Sequence, residues 1–189
     1  MNNLLHVEYG QTGQSSSLNS MGMREMQARA FAERTSQYLL IKAPPACGKS
    51  RALMFLGQDK LEHQNLSKVI VAVPEKSIGG SFQDTKLTEH GFFADWVVKP
   101  ENNLCVDGGE SGKVNAFQRF MTSDDKTLVC THATLRFAFE KLAVTDFDNC
   151  LVAIDYFHHV SADAAKRLGS LIHELMKKYS AQLTALTSS

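Results

Sequence analysis

The sequence predicts an α/β fold, a parallel sheet with helices on both faces, and three observations carry that prediction. Apolar runs of strand length recur along the chain with helical patterns between them, the alternation that builds parallel sheets. The run Val69-Ile70-Val71-Ala72-Val73 is continuously apolar and stops at Pro74, as expected of a strand covered on both sides. Finally, Tyr38-Leu39-Leu40-Ile41 leads into a loop ending in Gly48-Lys49-Ser50 and then into a helical segment over 51–56.

Residues 1–20 are polar and turn-prone, with Ser15-Ser16-Ser17 in a row, and read as a mobile lead-in to one folded domain over 21–189. Met23, Met26, Gln27, Ala30 and Phe31 recur at helical spacing up to Glu33, which places a helix before the first core strand at 38–42. The strand at 69–73 follows the loop-opened helix. The stretches 78–91 and 99–112 are rich in Gly and polar residues and predict no regular element. Helical patterns at 113–121, 132–142 and 162–178 then alternate with apolar runs at 127–130 and 151–154, and a weaker run at 182–186 closes the series.

The 189 residues carry 20 Lys plus Arg against 20 Asp plus Glu, so net charge offers no bulk attraction to nucleic acid, and any such surface must be a local patch. Cys47, Cys105, Cys130 and Cys150 are widely spaced without a C-x-x-C pair, which argues against a zinc or redox motif and for reduced, buried thiols. The N-terminus has neither the basic nor the apolar region of a signal peptide. No apolar run approaches the ~18 residues of a spanning helix, so the chain reads as cytoplasmic with no membrane partner.

Ala43-Pro44-Pro45-Ala46-Cys47-Gly48-Lys49-Ser50 is the segment richest in chemistry. A strand that ends in such a loop and opens a helix aims successive backbone N–H groups, and the positive end of the helix dipole, at one anion. In phosphate-binding loops of this pattern the Lys, here Lys49, reaches the β- and γ-phosphates of a nucleotide and the hydroxyl, here Ser50, binds Mg²⁺. Ala43 stands where the pattern has its first Gly, and Ala46 where Gly is frequent; Gly48-Lys49-Ser50 is intact. Asp155, directly after the apolar run 151–154, stands where phosphate-loop proteins hold Mg²⁺ opposite the loop. Its alternative role is to cap the following helix.

Taken together these segments resemble the first, RecA-like ATP-binding lobe of superfamily 2 helicases and translocases of the DEAD/DEAH type. Asp155-Tyr156-Phe157-His158-His159 resembles the Asp-Glu-Phe-His-His form of that family's second motif. Met23-Arg24-Glu25-Met26-Gln27 looks like the upstream segment whose Gln reads adenine. Val73-Pro74-Glu75-Lys76-Ser77 and Cys130-Thr131-His132-Ala133-Thr134-Leu135-Arg136 fall where nucleic-acid-contact motifs sit, and Leu186-Thr187-Ser188-Ser189 is similar to the Leu-Thr-Ala-Thr motif that couples hydrolysis to strand movement.

The resemblance implies a P-loop NTPase that binds ATP and Mg²⁺ through Pro44, Pro45, Ala46, Cys47, Gly48, Lys49 and Ser50. Gln27 would read the base, Ser50 and Asp155 would hold the metal, and His158 with Thr187 would couple the site to a strand of DNA or RNA. Pro74, Lys76, Ser77, Thr131 and Arg136 would touch that strand, although Thr131 and Arg136 could equally cap and flank their helix.

Two departures limit what the resemblance implies. Tyr156 occupies the position of the Glu that activates water, and a phenol of pKa about 10 is a poor base at neutral pH, where general bases contribute ~10²- to 10⁴-fold. The sequence also stops at the coupling motif, before the family's second lobe, whose arginine finger is worth roughly 10³- to 10⁵-fold in related reactions. The expectation is slow hydrolysis by this chain alone. Its rivals are a non-catalytic module that binds a nucleotide or a partner protein and, ranked last, a small-molecule kinase, for which the middle of the chain has few arginines.

Several other features are set aside. Gly108-Gly109-Glu110-Ser111-Gly112-Lys113 mimics a second phosphate loop, but its glycines are too close and Val114 replaces the hydroxyl, so it reads as a surface turn. His158 and His159 diverge on a turn and lack a metal-ligating partner. Phe117, Phe120, Phe137 and Phe139 read as packing residues rather than base-stacking platforms.

Overall fold

A computed structural model describes residues 4–8, 17–106, 109–155, 162–177 and 181–187. Among these, strands β1 (Leu4–Glu8), β2 (Tyr38–Lys42), β3 (Lys68–Val73), β4 (Thr127–Thr131), β5 (Cys150–Ile154) and β6 (Gln182–Thr187) form one sheet in the order β1-β2-β6-β5-β3-β4. Every pairing is parallel. Helices α1 (Glu25–Ala32), α2 (Lys49–His63), α3 (Glu110–Thr122), α4 (His132–Phe139) and α5 (Ala162–Met176) supply the crossovers. The α/β, RecA-like prediction thus describes the molecule.

Period-two alternation divides the strand residues between two cores. Val69, Val71 and Val73 of β3 join Leu39, Ile41, Leu151, Ala153 and Leu186 beneath α1 and α2. Ile70 and Ala72 join Tyr38, Leu128, Cys130, Val152, Ile154 and Leu183 on the opposite face, against Phe117, Leu135 and Leu171 of α3, α4 and α5. Because both faces are covered, β3, β4 and β5 are buried at every position, which is why they appear in the sequence as unbroken apolar runs. Phe117 and Phe120 are core residues, as expected, while Phe139 is partly buried and packs on Phe147 with ring centroids 5.6 Å apart.

Three local readings are revised. Part of the segment read as a mobile lead-in is β1, whose apolar Leu4, Leu5 and Val7 lie in a strand that adds to the edge of β2 in register, Leu5 opposite Leu39. The described part of the Gly108–Lys113 turn is helical, because α3 begins at Glu110 and buries Lys113 in its first turn. The long β3–α3 crossover, where no regular element is predicted, is ordered by tertiary anchors. It contains short 3₁₀ turns at Lys76–Phe82, Thr88–His90 and Pro100–Asn102. Between them Phe82, Leu87, Phe92 and Trp96 sink into the α1/α2 core, and the indole N–H of Trp96 donates to the Phe82 carbonyl at 3.0 Å. The same crossover leans on the chain entering α1: Gly22 has φ +73°, and a Cβ there would lie 2.4 Å from that of His90.

Candidate functional site

The carboxyl ends of β2, β6 and β5 lie side by side, the location at which open parallel sheets bind ligands. Lys42 is level with Thr187, and Ile154 with Ala185, so Ala43, Thr187 and Asp155 share one rim. The Ala43 N–H donates to the Thr187 carbonyl at 3.2 Å, extending the β2–β6 ladder into the loop by one rung. Asp155 continues β5 in the same way, its N–H donating to the Ala72 carbonyl at 2.8 Å, and the residue is buried.

Two positive-φ residues bend the loop from β2 into α2: Ala46 at φ 61° and Gly48 at φ 84°. The glycine at the second position is required by packing as well as by conformation, since a Cβ on Gly48 would stand 2.5 Å from Gln27 Nε2. Gln27 clasps the loop: its Nε2 donates to the Gly48 carbonyl at 3.0 Å, while its Oε1 accepts from the Arg24 N–H at 2.8 Å. One buried side-chain amide therefore fastens the start of α1 to the turn that opens α2. Pro45 and Ala46 are exposed, and Pro44, Cys47 and Ser50 are half-buried.

Lys49 is buried at the first residue of α2, and its ammonium donates to the carbonyls of Ala43 and Pro44 at 2.8 and 2.9 Å. Burial pushes its pKa below the ordinary lysine value, and the opposing charge of Asp155 across the rim pulls it partly back. The Lys49 ammonium, at the start of α2, thus feels the charge of the Asp155 carboxylate at the end of β5.

The requirements of a magnesium nucleotide can be tested against these residues. Mg²⁺ favours one or two protein oxygens supplemented by phosphate oxygens and water rather than an all-protein cage. Ser50 and Asp155 are a donor set of that size, and among the described residues no group of three or more His, Cys, Asp or Glu side chains could hold a metal ion. Beside the loop lies a cleft of about 360 Å³ bounded by Gly22, Arg24, Gln27, Gly48, Arg51 and His90, within the range of small-ligand pockets. The residues fit the group.

The remaining predicted site residues fall into three sets. Lys76 and Ser77 are exposed and Pro74 half-buried just past β3. Thr131 is the N-cap of α4, its Oγ1 accepting from the Thr134 N–H at 3.2 Å, so the capping alternative holds as local structure. Arg136 lies one and a half turns on, its guanidinium 4.4 Å from the centre of the Phe137 ring. Tyr156, His158 and His159 lie outside the described residues, as do Ser188 and Ser189.

One participant was not singled out from sequence. His132, the first residue of α4, places Nε2 2.9 Å from the carbonyl oxygen of Asp155. Burial lowers its pKa below the usual histidine value, against the raising effect of hydrogen bonds to the Asp155 and Ala72 carbonyls. Its only signal in the sequence was its place between Thr131 and Ala133.

A RecA-like α/β lobe with its candidate site along the strand rim is the class the geometry defines. Comparison with known proteins agrees. The chain is 61% identical over all 189 residues to a Bacillus subtilis (strain 168) protein named "Putative ATP-dependent helicase YeeB", of which it spans 31%. Its fold resembles that of the UvsW helicase from bacteriophage T4, with a TM-score of 0.54 and 16% identity, over 93% of this chain and 56% of that one. No protein-family model matches. The first likeness accords with the resemblance of the sequence to helicases, and the second shows a shared fold. Among the described residues no helix is long and apolar enough to cross a membrane.

Proposed function

We propose that the chain is the nucleotide-binding lobe of a superfamily 2 helicase or nucleic-acid translocase, holding MgATP on residues 43–50. The observation that carries this reading is the placing of buried Lys49 and buried Asp155 at one strand rim, with the α2 N-terminus opened by left-handed Gly48. Bound MgATP would supply the transferable phosphoryl group. The chain's own part is to bind and orient it. The ammonium of Lys49 exchanges its bonds to the Ala43 and Pro44 carbonyls for bonds to phosphate oxygens, and the N–H groups of the α2 first turn complete the cradle. Ser50 and Asp155 are the metal ligands, and Gln27 holds the loop in shape while bordering the cleft that receives the base.

In this reading Pro74, Lys76, Ser77, Thr131 and Arg136 face a DNA or RNA strand, Thr187 and His158 relay between strand and nucleotide, and a second lobe or partner protein completes the catalytic site. Four free thiols suit a reducing, cytoplasmic setting. Tyr156 at the water-activating position favours a second reading for the chain by itself, a module that binds nucleotide and turns it over slowly.

Calorimetric titration with ATP, with and without Mg²⁺, tests the proposal. Binding should be magnesium-dependent and lost in Lys49→Ala. Unchanged affinity in that variant would overturn the assignment of the loop.

A further inference from the structure

We propose that His132 is a positioning residue for Asp155, fixing the backbone that carries the candidate metal-ligating carboxylate; the inference rests on the nucleotide reading above. Two peptide groups decide where the Asp155 side chain points. The first is tied down by the sheet, since the Asp155 N–H bonds to the Ala72 carbonyl at 2.8 Å in the last rung of the β3–β5 ladder. The second carries the Asp155 carbonyl, just past the end of β5 at Ile154, and His132 fastens it, with Nε2 2.9 Å from that oxygen.

A carbonyl only accepts, so Nε2 carries the proton and the imidazole is the donor. The ring can do this because of topology. β3 lies between β5 and β4, and α4 starts where β4 stops, so the imidazole reaches from the outermost strand across the tip of β3 to the tip of β5. Its anchor at the other end is rigid: Thr131 caps α4 through the Thr134 N–H, and the two threonine hydroxyls lie 3.0 Å apart in the interior.

Groups that hold a metal-binding carboxylate in place typically contribute about 10- to 100-fold to metal affinity when they are lost. A hydrogen bond to the carboxylate's own main chain belongs at the lower end of that range. The segment from Thr131 to Arg136 thereby gains a direct mechanical link to the metal site, in addition to any contact it makes outside the protein.

The test compares two amides of different reach. The Gln side chain places its terminal nitrogen near the position of Nε2, whereas Asn places its own near Nδ1, too short for the Asp155 carbonyl. ADP affinity is measured by calorimetry with saturating Mg²⁺ and in EDTA for the wild type, His132→Gln, His132→Asn and His132→Leu. The quantity read is the factor by which Mg²⁺ strengthens binding. It should fall about tenfold in the Asn and Leu variants, stay near wild type in Gln, and leave the metal-free affinity unchanged throughout.

An unaltered magnesium factor in Asn and Leu overturns the proposal, as does an equal loss with and without metal, which would mark a general packing defect. Should Leu fail to fold, the Gln-against-Asn contrast still decides. A wild type without magnesium dependence would refute the nucleotide reading itself, before any His132 variant is measured.

Discussion

Replacing Gly48 with Ala perturbs the turn that opens α2 in two separable ways. At φ 84° an alanine pays the left-handed backbone penalty of about 1–2 kcal/mol. Its Cβ would also stand 2.5 Å from Gln27 Nε2, so the amide must move away. That movement breaks the 3.0 Å bond to the Gly48 carbonyl, a net loss of about 1 kcal/mol for a neutral hydrogen bond. The total, about 2–3 kcal/mol, corresponds to a fall in melting temperature of roughly 4–12 °C for a domain of this size.

A double-mutant cycle with Gln27→Ala separates the two terms. With the amide already removed, Gly48→Ala should cost only its backbone share, leaving a coupling of about 1 kcal/mol between the sites. Urea unfolding of the four proteins, compared at constant m-value, measures it. Additive losses would refute the clasp between Gln27 and Gly48, and a neutral Gly48→Ala would refute the left-handed turn as well.

Further expectations concern other sites. Burial lowers the Lys60 pKa from 10.5 to about 8, while its ammonium donates to the carbonyls of Arg34 and Ser36 and to the Gln182 side chain. Between those values the unfolded chain binds more protons, so stability should rise with pH relative to Lys60→Met, by up to ~1.4 kcal/mol per unit, and the difference should be flat below about pH 8. Equal pH profiles in denaturant unfolding would contradict this. Cys47, half-buried beside Gly48 while the other three thiols are buried, should be alkylated first and be shielded by saturating MgATP; mass-spectrometric labelling that ignores nucleotide would count against a phosphate on the loop. Tyr156→Glu should leave nucleotide affinity about the same and raise turnover ~10-fold or more, as read by phosphate release, and a wild type already turning over at helicase-like rates would remove the rationale.

The core strands were legible because burial on both faces leaves a chemical trace in the strand itself, as 69–73 shows. β1 has less to show, its Leu4, Leu5 and Val7 being interrupted by His6 and followed by a polar stretch. The β3–α3 crossover was illegible for a different reason: Phe82, Leu87, Phe92 and Trp96 follow neither helical nor strand spacing, and only their common destination in the α1/α2 core unites them. The candidate site divides in the same way. Gly48-Lys49-Ser50 and Asp155 were read directly, since each is tied to the end of an apolar run. The Gln27–Gly48 clasp spans 21 residues and the His132–Asp155 contact 23, and each joins a side chain to a main-chain oxygen, which no residue pattern encodes.

The strand order β1-β2-β6-β5-β3-β4 has a consequence for the birth of the protein. Of these six strands the latest to be synthesised, β6, occupies an interior slot, between the earliest pair and the later trio. Until residues 182–187 have left the ribosome, β2 and β5 each display an apolar strand with an unfilled flank, the kind of edge that recruits foreign strands. Until then the nascent chain carries two partial sheets with no strand between them. A ribosome stalled before Gln182 should therefore yield a sticky, protease-sensitive product, and emergence of residues 182–187 should convert it abruptly to the closed form.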